Sequence, residues 1–179
     1  MLPLYLSMID TDEDRAKFAA LYERYSRLMF YIARQILDDE QLSEDAVQEA
    51  LLRIARNMHK VGEVSCPQTR NFSVIITRNA ALTMKKQSCQ AAEEELDVLD
   101  RARGNIDELF EQVSKKQLTE CILKLPYIYR DALYLYHLYG YSLGETASLL
   151  GTSLENVKKR VQRARSMLRN MLIEEGYEL

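Results

Sequence analysis

The densest set of residues able to do chemistry lies near the C-terminal end of the chain. Asn156, Lys159, Arg160 and Arg163 recur at i, i+3, i+4 and i+7, so a helix places them on one outward stripe, flanked by Lys158 and Arg165. Side chains of these types donate hydrogen bonds to base edges in a major groove, and the remaining cations meet phosphates. The alternative is a basic, solvated face on a helical hairpin. Capping, turn and charge signals agree here and favour nucleic acid.

Two further sets are weaker. Asp45, Gln48, Glu49, Leu52 and Arg53 form an acidic stripe with an exposed leucine on the outer face of a predicted helix. That pattern suits docking to a basic protein surface, although a solvated face with one stray leucine would look the same. Arg78, Asn79, Lys85 and Lys86, with Phe72 before them and Thr83 among them, mix bases, small polar groups and an aromatic ring. Such a mixture can hold a nucleic-acid backbone and contact unstacked bases, while Phe72 serves equally as core. Constellations for catalysis are not found. His59 and His137 stand apart from cysteines and carboxylates at metal-ligand spacing, and no Gly-rich phosphate loop or Gly-x-Ser-x-Gly occurs. No catalytic residue, metal site, cofactor or small-molecule substrate is expected, and an enzyme is disfavoured.

The elements that must position these residues are helical. Phe18, Leu21, Tyr22, Tyr25, Leu28, Met29, Ile32, Ala33 and Ile36 keep helical spacing for five turns. Thr11 ahead of Asp12, Glu13 and Asp14 supplies an N-cap, with acids placed well against the helix dipole. Ser43 is expected to cap a second helix with Val47, Ala50, Leu51, Ile54, Ala55 and Met58 inside. A loop follows over 61–68, then a third helix from about Thr69 to Lys86 with Phe72, Ile75, Ile76 and Leu82 among its buried residues. The second half predicts a short helix stopped by Pro126, another over Arg130–Tyr139 ended by Gly140, and a capping box at Ser142–Glu145. Gly151-Thr152-Ser153 then makes a tight turn into the basic helix, whose inner stripe is Val157, Val161, Ala164, Leu168, Met171 and Leu172. Helix, glycine turn, helix is the pattern of a helix-turn-helix.

Composition fits this reading. The 179 residues are 47% hydrophobic with only six glycines and three prolines, which excludes wholesale disorder and favours helices. No apolar run reaches the roughly 20 residues of a membrane helix. The opening MLPLYLSMIDTDEDR lacks a basic start and reads as no secretory signal. Three widely spaced cysteines fit a reducing, cytoplasmic compartment. The net charge of −3 conceals strong segregation: −6 over 37–52, +6 over 53–86, −6 over 87–113 and +4 over 141–172. Clustered bases of this kind are the footprint of a polyanionic partner even in an acidic chain. The fold class expected is all-α: a helical bundle over 10–86, an acidic linker over 87–113, and a helix-turn-helix domain over 114–175.

Over roughly 13–175 the chain resembles an extracytoplasmic-function (ECF) sigma factor, the small two-domain class of bacterial RNA polymerase sigma subunits. SEDAVQEALLRIARNM is similar to the family's core-binding helix, and FSVIITRNAALTMKK to its −10 recognition helix. The stretch from Leu125 to Leu172 carries LP-x₃-R, S-x-x-E-x-A-x-x-L-G-x-S and VK-x-R-x-x-RAR-x-x-L, hallmarks of the −35-binding domain. The resemblance implies an alternative sigma factor that binds core RNA polymerase, contacts −35 and −10 elements and assists promoter melting. Asp45, Gln48, Glu49, Leu52 and Arg53 would grip the clamp helices of the β′ subunit, with the β subunit also in contact. Glu63, Phe72, Arg78, Asn79 and Thr83 would capture −10 bases, while Lys85 and Lys86 hold phosphates. Tyr136, Asn156, Lys158, Lys159, Arg160, Gln162, Arg163 and Arg165 would read or clamp the −35 groove. The acidic linker would occupy the channel built for RNA. An anti-sigma protein, often membrane-bound in this family, is an implied partner.

Three departures bear on specificity. Phe72 stands where the family usually has tryptophan, Thr83 where aspartate or asparagine is common, and Leu154-Glu155-Asn156 where a glycine-threonine start is frequent. Two other classes compete with the sigma reading: a dimeric helix-turn-helix regulator that binds a palindrome unaided, and a protein adaptor with vestigial DNA contacts. The acidic 37–52 block and the lack of a dimer seam weigh against the regulator.

Overall fold

The structure, a computed structural model, describes residues 2–88 and 115–177, and every described element is helical. The acidic linker expected over 87–113 lies almost wholly outside the described residues. The chain divides into two compact units, with Ala147–Thr152 grouping with the first and Ser153 onward with the second.

The first unit is built on three long helices. Helix α1 (Leu2–Leu6) is short and sends Tyr5 into the core. Helix α2 (Asp12–Leu37) opens as the sequence predicts: the Thr11 side chain accepts a hydrogen bond from the Asp14 amide at 3.1 Å. It ends at Asp38, which adopts a left-handed φ of 54°, and α3 (Glu40–Arg56) follows almost at once. Asp39 caps α3, accepting from the Leu42 amide at 2.8 Å. Ser43, expected in that role, is instead buried in the first turn and donates its hydroxyl to the Asp39 carbonyl. Both residue types cap well, and the earlier one lengthens the helix by a turn.

A single 3₁₀ turn (Met58–Lys60) leads to the loop before α4 (Pro67–Ser88). Proline at the first helical position costs no hydrogen bond, so α4 begins two residues earlier than the spacing of apolar residues suggests. Helices α2, α3 and α4 pack on one another in all three pairings. Phe18, Leu21 and Met29 of α2, Leu51 and Ile54 of α3, and Phe72, Ile75 and Ile76 of α4 fill the centre. One buried stripe of α4 is polar: Thr69, Ser73 and Thr77. Ser73 donates to the Thr69 carbonyl at 3.0 Å and Thr77 to the Ser73 carbonyl at 2.8 Å, so their hydroxyls enter the core satisfied.

The second unit holds α5 (Lys115–Lys124), α6 (Tyr127–Leu133), the start of α7 (Leu143–Leu150) and α8 (Leu154–Glu174). Helices α5 and α6 both pack on α8. Leu118, Cys121, Leu125, Leu133, Ala164, Leu168 and Leu172 form their common core. The helix expected over Arg130–Tyr139 starts earlier, at Tyr127, and changes into a π turn at Tyr134–Leu138. There the Tyr139 amide reaches back to the Tyr134 carbonyl at 2.9 Å. No local residue type announces this wider turn.

Candidate functional site

The basic helix is held by local chemistry that the sequence spells out. At the entry to α7, the Glu145 amide donates to the Ser142 hydroxyl at 3.2 Å, and the Ser142 amide donates to the Glu145 carboxylate at 2.6 Å. This reciprocal box satisfies two otherwise orphaned amides. At its exit Gly151 takes φ +65°. The Thr152 amide bonds the Ala147 carbonyl at 3.1 Å and the Gly151 amide bonds that of Ser148 at 3.3 Å. That pair of bonds is a Schellman closure, and its left-handed residue is most easily glycine. Two residues later the Ser153 hydroxyl accepts from the Asn156 amide at 3.2 Å and starts α8. Helix, closed turn and helix therefore follow within 143–174 without a slack residue.

Helix α8 buries Val157, Val161, Ala164, Leu168 and Leu172. The opposite stripe leaves Lys158, Lys159 and Gln162 exposed, with Asn156, Arg160 and Arg163 half-buried. Lys158 is engaged by Glu155 at 2.8 Å, and this hydrogen bond and charge from Lys158 hold the Glu155 carboxyl below its ordinary range. Arg165 turns away from this stripe: its guanidinium lies 3.1 Å from His137 Nε2. That contact needs an unprotonated Nε2 as acceptor. Tyr136, half-buried, meets the His137 ring edge-on at 4.6 Å between centroids.

Helix α3 presents Asp45 as exposed, and Gln48, Glu49 and Leu52 as half-buried. Arg53 departs from the expected outer face. It is 7% exposed, and its Nε donates to the Glu49 carboxylate at 2.8 Å, one turn back along the helix. Its guanidinium also packs directly against Gly151, which covers a side chain on a nominally outer position.

Along α4 the expected residues separate. Phe72 lies in the core at 2% exposure, and Asn79 at 7% donates its side-chain amide to the Ile75 carbonyl at 2.9 Å. Neither presents its side chain to solvent as a base-contacting group would. Arg78 and Thr83 are half-buried, and Lys85 and Lys86 exposed. Thr83 donates to the Asn79 carbonyl at 2.8 Å. Lys85 donates at 2.9 Å to the Ile36 carbonyl, one of the last carbonyls of α2, where a cation also suits the helix dipole.

Glu63 sits on the loop before α4, at a cleft of about 460 Å³ lined by Ala20, Glu23, Arg24, Glu63, Val64 and Ser65. Ser65 donates to the Glu63 carboxylate, and Arg24 lies 5.9 Å from the centre of the Tyr25 ring. The cleft and its α2 side are not readable from the spacing of residues near Glu63. Cys66, at the end of the loop, has its thiol pKa lowered chiefly by the hydrogen bond it shares with Thr69, 3.2 Å away. Among the described residues no group of three or more His, Cys, Asp or Glu could hold a metal ion, and no helix is long and apolar enough to cross a membrane.

Two family matches decide what this arrangement is. Sigma-70 region 2 matches residues 21–88, from within α2 to the end of α4, and Sigma-70, region 4 matches residues 115–168, from the start of α5 to within α8. The chain belongs to the sigma-70 family. It is an alternative sigma factor of the ECF type that directs RNA polymerase to promoters. Among its relatives, the ECF RNA polymerase sigma factor SigK of Mycobacterium tuberculosis (strain ATCC 25618 / H37Rv) is 24% identical over 167 residues, covering 89% of this chain and 87% of that protein. The ECF RNA polymerase sigma factor SigM of the same species (strain ATCC 35801 / TMC 107 / Erdman) is 26% identical over 164 residues, covering 89% and 79%. Among solved structures, CnrH in complex with the cytosolic domain of CnrY matches at 19% identity and a TM-score of 0.37, covering 98% of this chain and 96% of that one. As a sigma factor the chain is a transcription initiation factor, and its described surfaces are read as contact surfaces.

Proposed function

We propose that this sigma factor acts through three separate helix faces. The exposed stripe of α8 reads and clamps the −35 major groove, with Asn156, Lys159, Gln162 and Arg163 toward the bases and Lys158 and Arg160 toward phosphates. The cleft at Glu63, with Arg78, Thr83 and Lys86 along α4, takes unpaired −10 bases and the adjoining backbone, which assists melting. The Asp45–Leu52 face of α3 docks on the β′ clamp helices. The observation that carries this reading is α8: a capped helix, entered by a closed glycine turn, with its cations opposite its buried stripe.

The domain plan proposed is a polymerase-binding and −10-binding unit over 10–86, a connector over 87–113, and a −35-binding unit over 114–175. The connector's charge of −6 suits a channel that otherwise holds RNA. The protein works in the cytoplasm, has no catalytic role of its own, and is held in check by an anti-sigma protein. Each DNA-binding half is weak alone, because counterion release scales with the few phosphates it neutralises. Held on polymerase at one spacing, the two contacts act as one. Unstacking a base costs a few kcal/mol, which the cleft offsets by capture.

The test is transcription with purified core enzyme and mapped start sites. The double variant Lys159→Ala, Arg163→Ala is expected to abolish −35-dependent initiation while core binding persists. Failure of labelled protein to migrate with core enzyme sinks the proposal. A symmetric footprint without polymerase would establish the stand-alone regulator instead, and unchanged activity in the double variant would favour the adaptor.

A further inference from the structure

The loop that carries Glu63 and Ser65 is fastened from inside by two hydroxyls. Tyr25, on α2, is 5% exposed and donates across 39 residues of sequence to the Val64 carbonyl at 2.7 Å. Thr69, on the first turn of α4, is 3% exposed and donates to the Glu63 carbonyl at 2.7 Å. The bonded carbonyls are adjacent, and the donors come from two different helices, α2 and α4. The Glu63 carbonyl also accepts from the Cys66 thiol at 2.9 Å and from the Cys66 amide at 3.3 Å. The backbone at 63–64 is therefore fixed from within, while Glu63, Val64 and Ser65 line the cleft shared with Glu23 and Arg24. Contacts to a base depend on placement finer than an ångström, and a side chain inherits its placement from its backbone.

We propose that Tyr25 and Thr69 are positioning residues that set base preference at the −10 element by holding the Glu63–Val64 backbone against the cleft. This rests on the proposed use of that cleft for unpaired −10 bases. Neither hydroxyl touches DNA; each acts through the loop.

The experiment uses holoenzyme reconstituted with core RNA polymerase and promoters that differ at single −10 positions, with open-complex formation as the readout. Tyr25→Phe and Thr69→Val each delete one hydroxyl and keep the packing volume. Each is expected to reduce discrimination among the four bases by roughly three- to tenfold, the range one buried hydrogen bond supports. Thr69→Ser, which keeps the hydroxyl, restores discrimination. Hydrogen exchange at amides 62–66 speeds up in both deletion variants. A merely structural role would lower the yield of folded protein and leave the ratios among bases intact, and that result overturns the proposal. If Thr69→Val does not bind core, Tyr25→Phe decides, because its ring still fills the same space. Glu63→Ala and Arg24→Ala separate the two levels. Altered base ratios there with unaltered ratios in Tyr25→Phe and Thr69→Val overturn the positioning roles alone. Unaltered ratios in all four overturn the use of the cleft as well.

Discussion

Glu155 is the one acid in the first turn of α8, the end proposed to meet DNA, and its removal gives the sharpest test of how that helix works. Its carboxylate holds Lys158 at 2.8 Å, and both groups are exposed, with side-chain exposures of 71% and 48%. An exposed pair of this kind adds little to folding, so Glu155→Gln leaves the melting temperature of the second unit almost unchanged. The helix start survives as well, because Ser153 supplies the cap. What changes is the charge offered to phosphate. Lys158 is freed, and the local field gains one positive charge. One further neutralised phosphate steepens the plot of log affinity against log salt by about 0.9. Across a fourfold rise in salt, from about 50 to 200 mM, that slope makes the variant's extra affinity shrink roughly 3.5-fold. Fluorescence anisotropy of a labelled −35 duplex, titrated with the full chain at several salt concentrations, reads the slope directly. Adding Lys158→Ala to Glu155→Gln should return the slope to the starting value, because the gain is assigned to that lysine. A slope that stays the same or becomes shallower in Glu155→Gln refutes the reasoning.

The other predictions address fold and loop. Ser153→Ala removes the cap of α8 and should cost about 1 kcal/mol, seen as a fall of roughly 4–8 °C in the melting of a unit this small. Phe72→Ala empties a core site and should cost about 3–5 kcal/mol, whereas Phe72→Leu should fold and keep −10 capture. Selective loss of −10 binding in a well-folded Phe72→Leu would show that the ring stacks on bases. The Thr69 hydroxyl favours the Cys66 thiolate, so its loss in Thr69→Val raises the thiol pKa. The pH midpoint for alkylation of Cys66, followed by peptide mass spectrometry, should then move upward.

How much of this was legible depended on the range of the interactions. The capping box at Ser142–Glu145, the Gly151 turn and the Ser153 cap are contacts within six residues, and all three were readable from residue type and spacing. The inner stripe of α2 was equally plain, since Phe18, Leu21, Tyr25 and Met29 are buried as their spacing demands. Competition between similar residues was harder. Asp39 and Ser43 both suit a helix start, and only the folded backbone chose the first. Burial of polar side chains was harder still. Arg53 and Asn79 are both buried, each bonding to a group four residues before it on its own helix. Thr69, Ser73 and Thr77 were not among the residues expected to be buried, yet hydrogen bonds within and beside α4 let them line its packed side. Tyr25 was read correctly as core, but the destination of its hydroxyl, 39 residues away, has no signature in the chain.

These mismatches share a cause that also governs what can be engineered. In α3 and α8 the proposed contact face and the core face belong to one helix, and in α4 the boundary between them runs through Asn79. Residues well inside the contact face, such as Asp45, Lys159 and Gln162, are exposed, so changing them should alter partner binding with little effect on folding. Residues at the boundary, Arg53 and Asn79, combine burial with a hydrogen bond to their own helix, so their removal couples folding to binding. A loss of transcription in Arg53→Ala therefore assigns nothing by itself. The same loss in Asp45→Asn, Lys159→Ala or Gln162→Ala, with unchanged thermal stability, assigns a contact. Arg53→Met separates the two roles: it retains most of the buried stem and deletes the charge, so folding that persists while core binding falls identifies the guanidinium as part of the docking face.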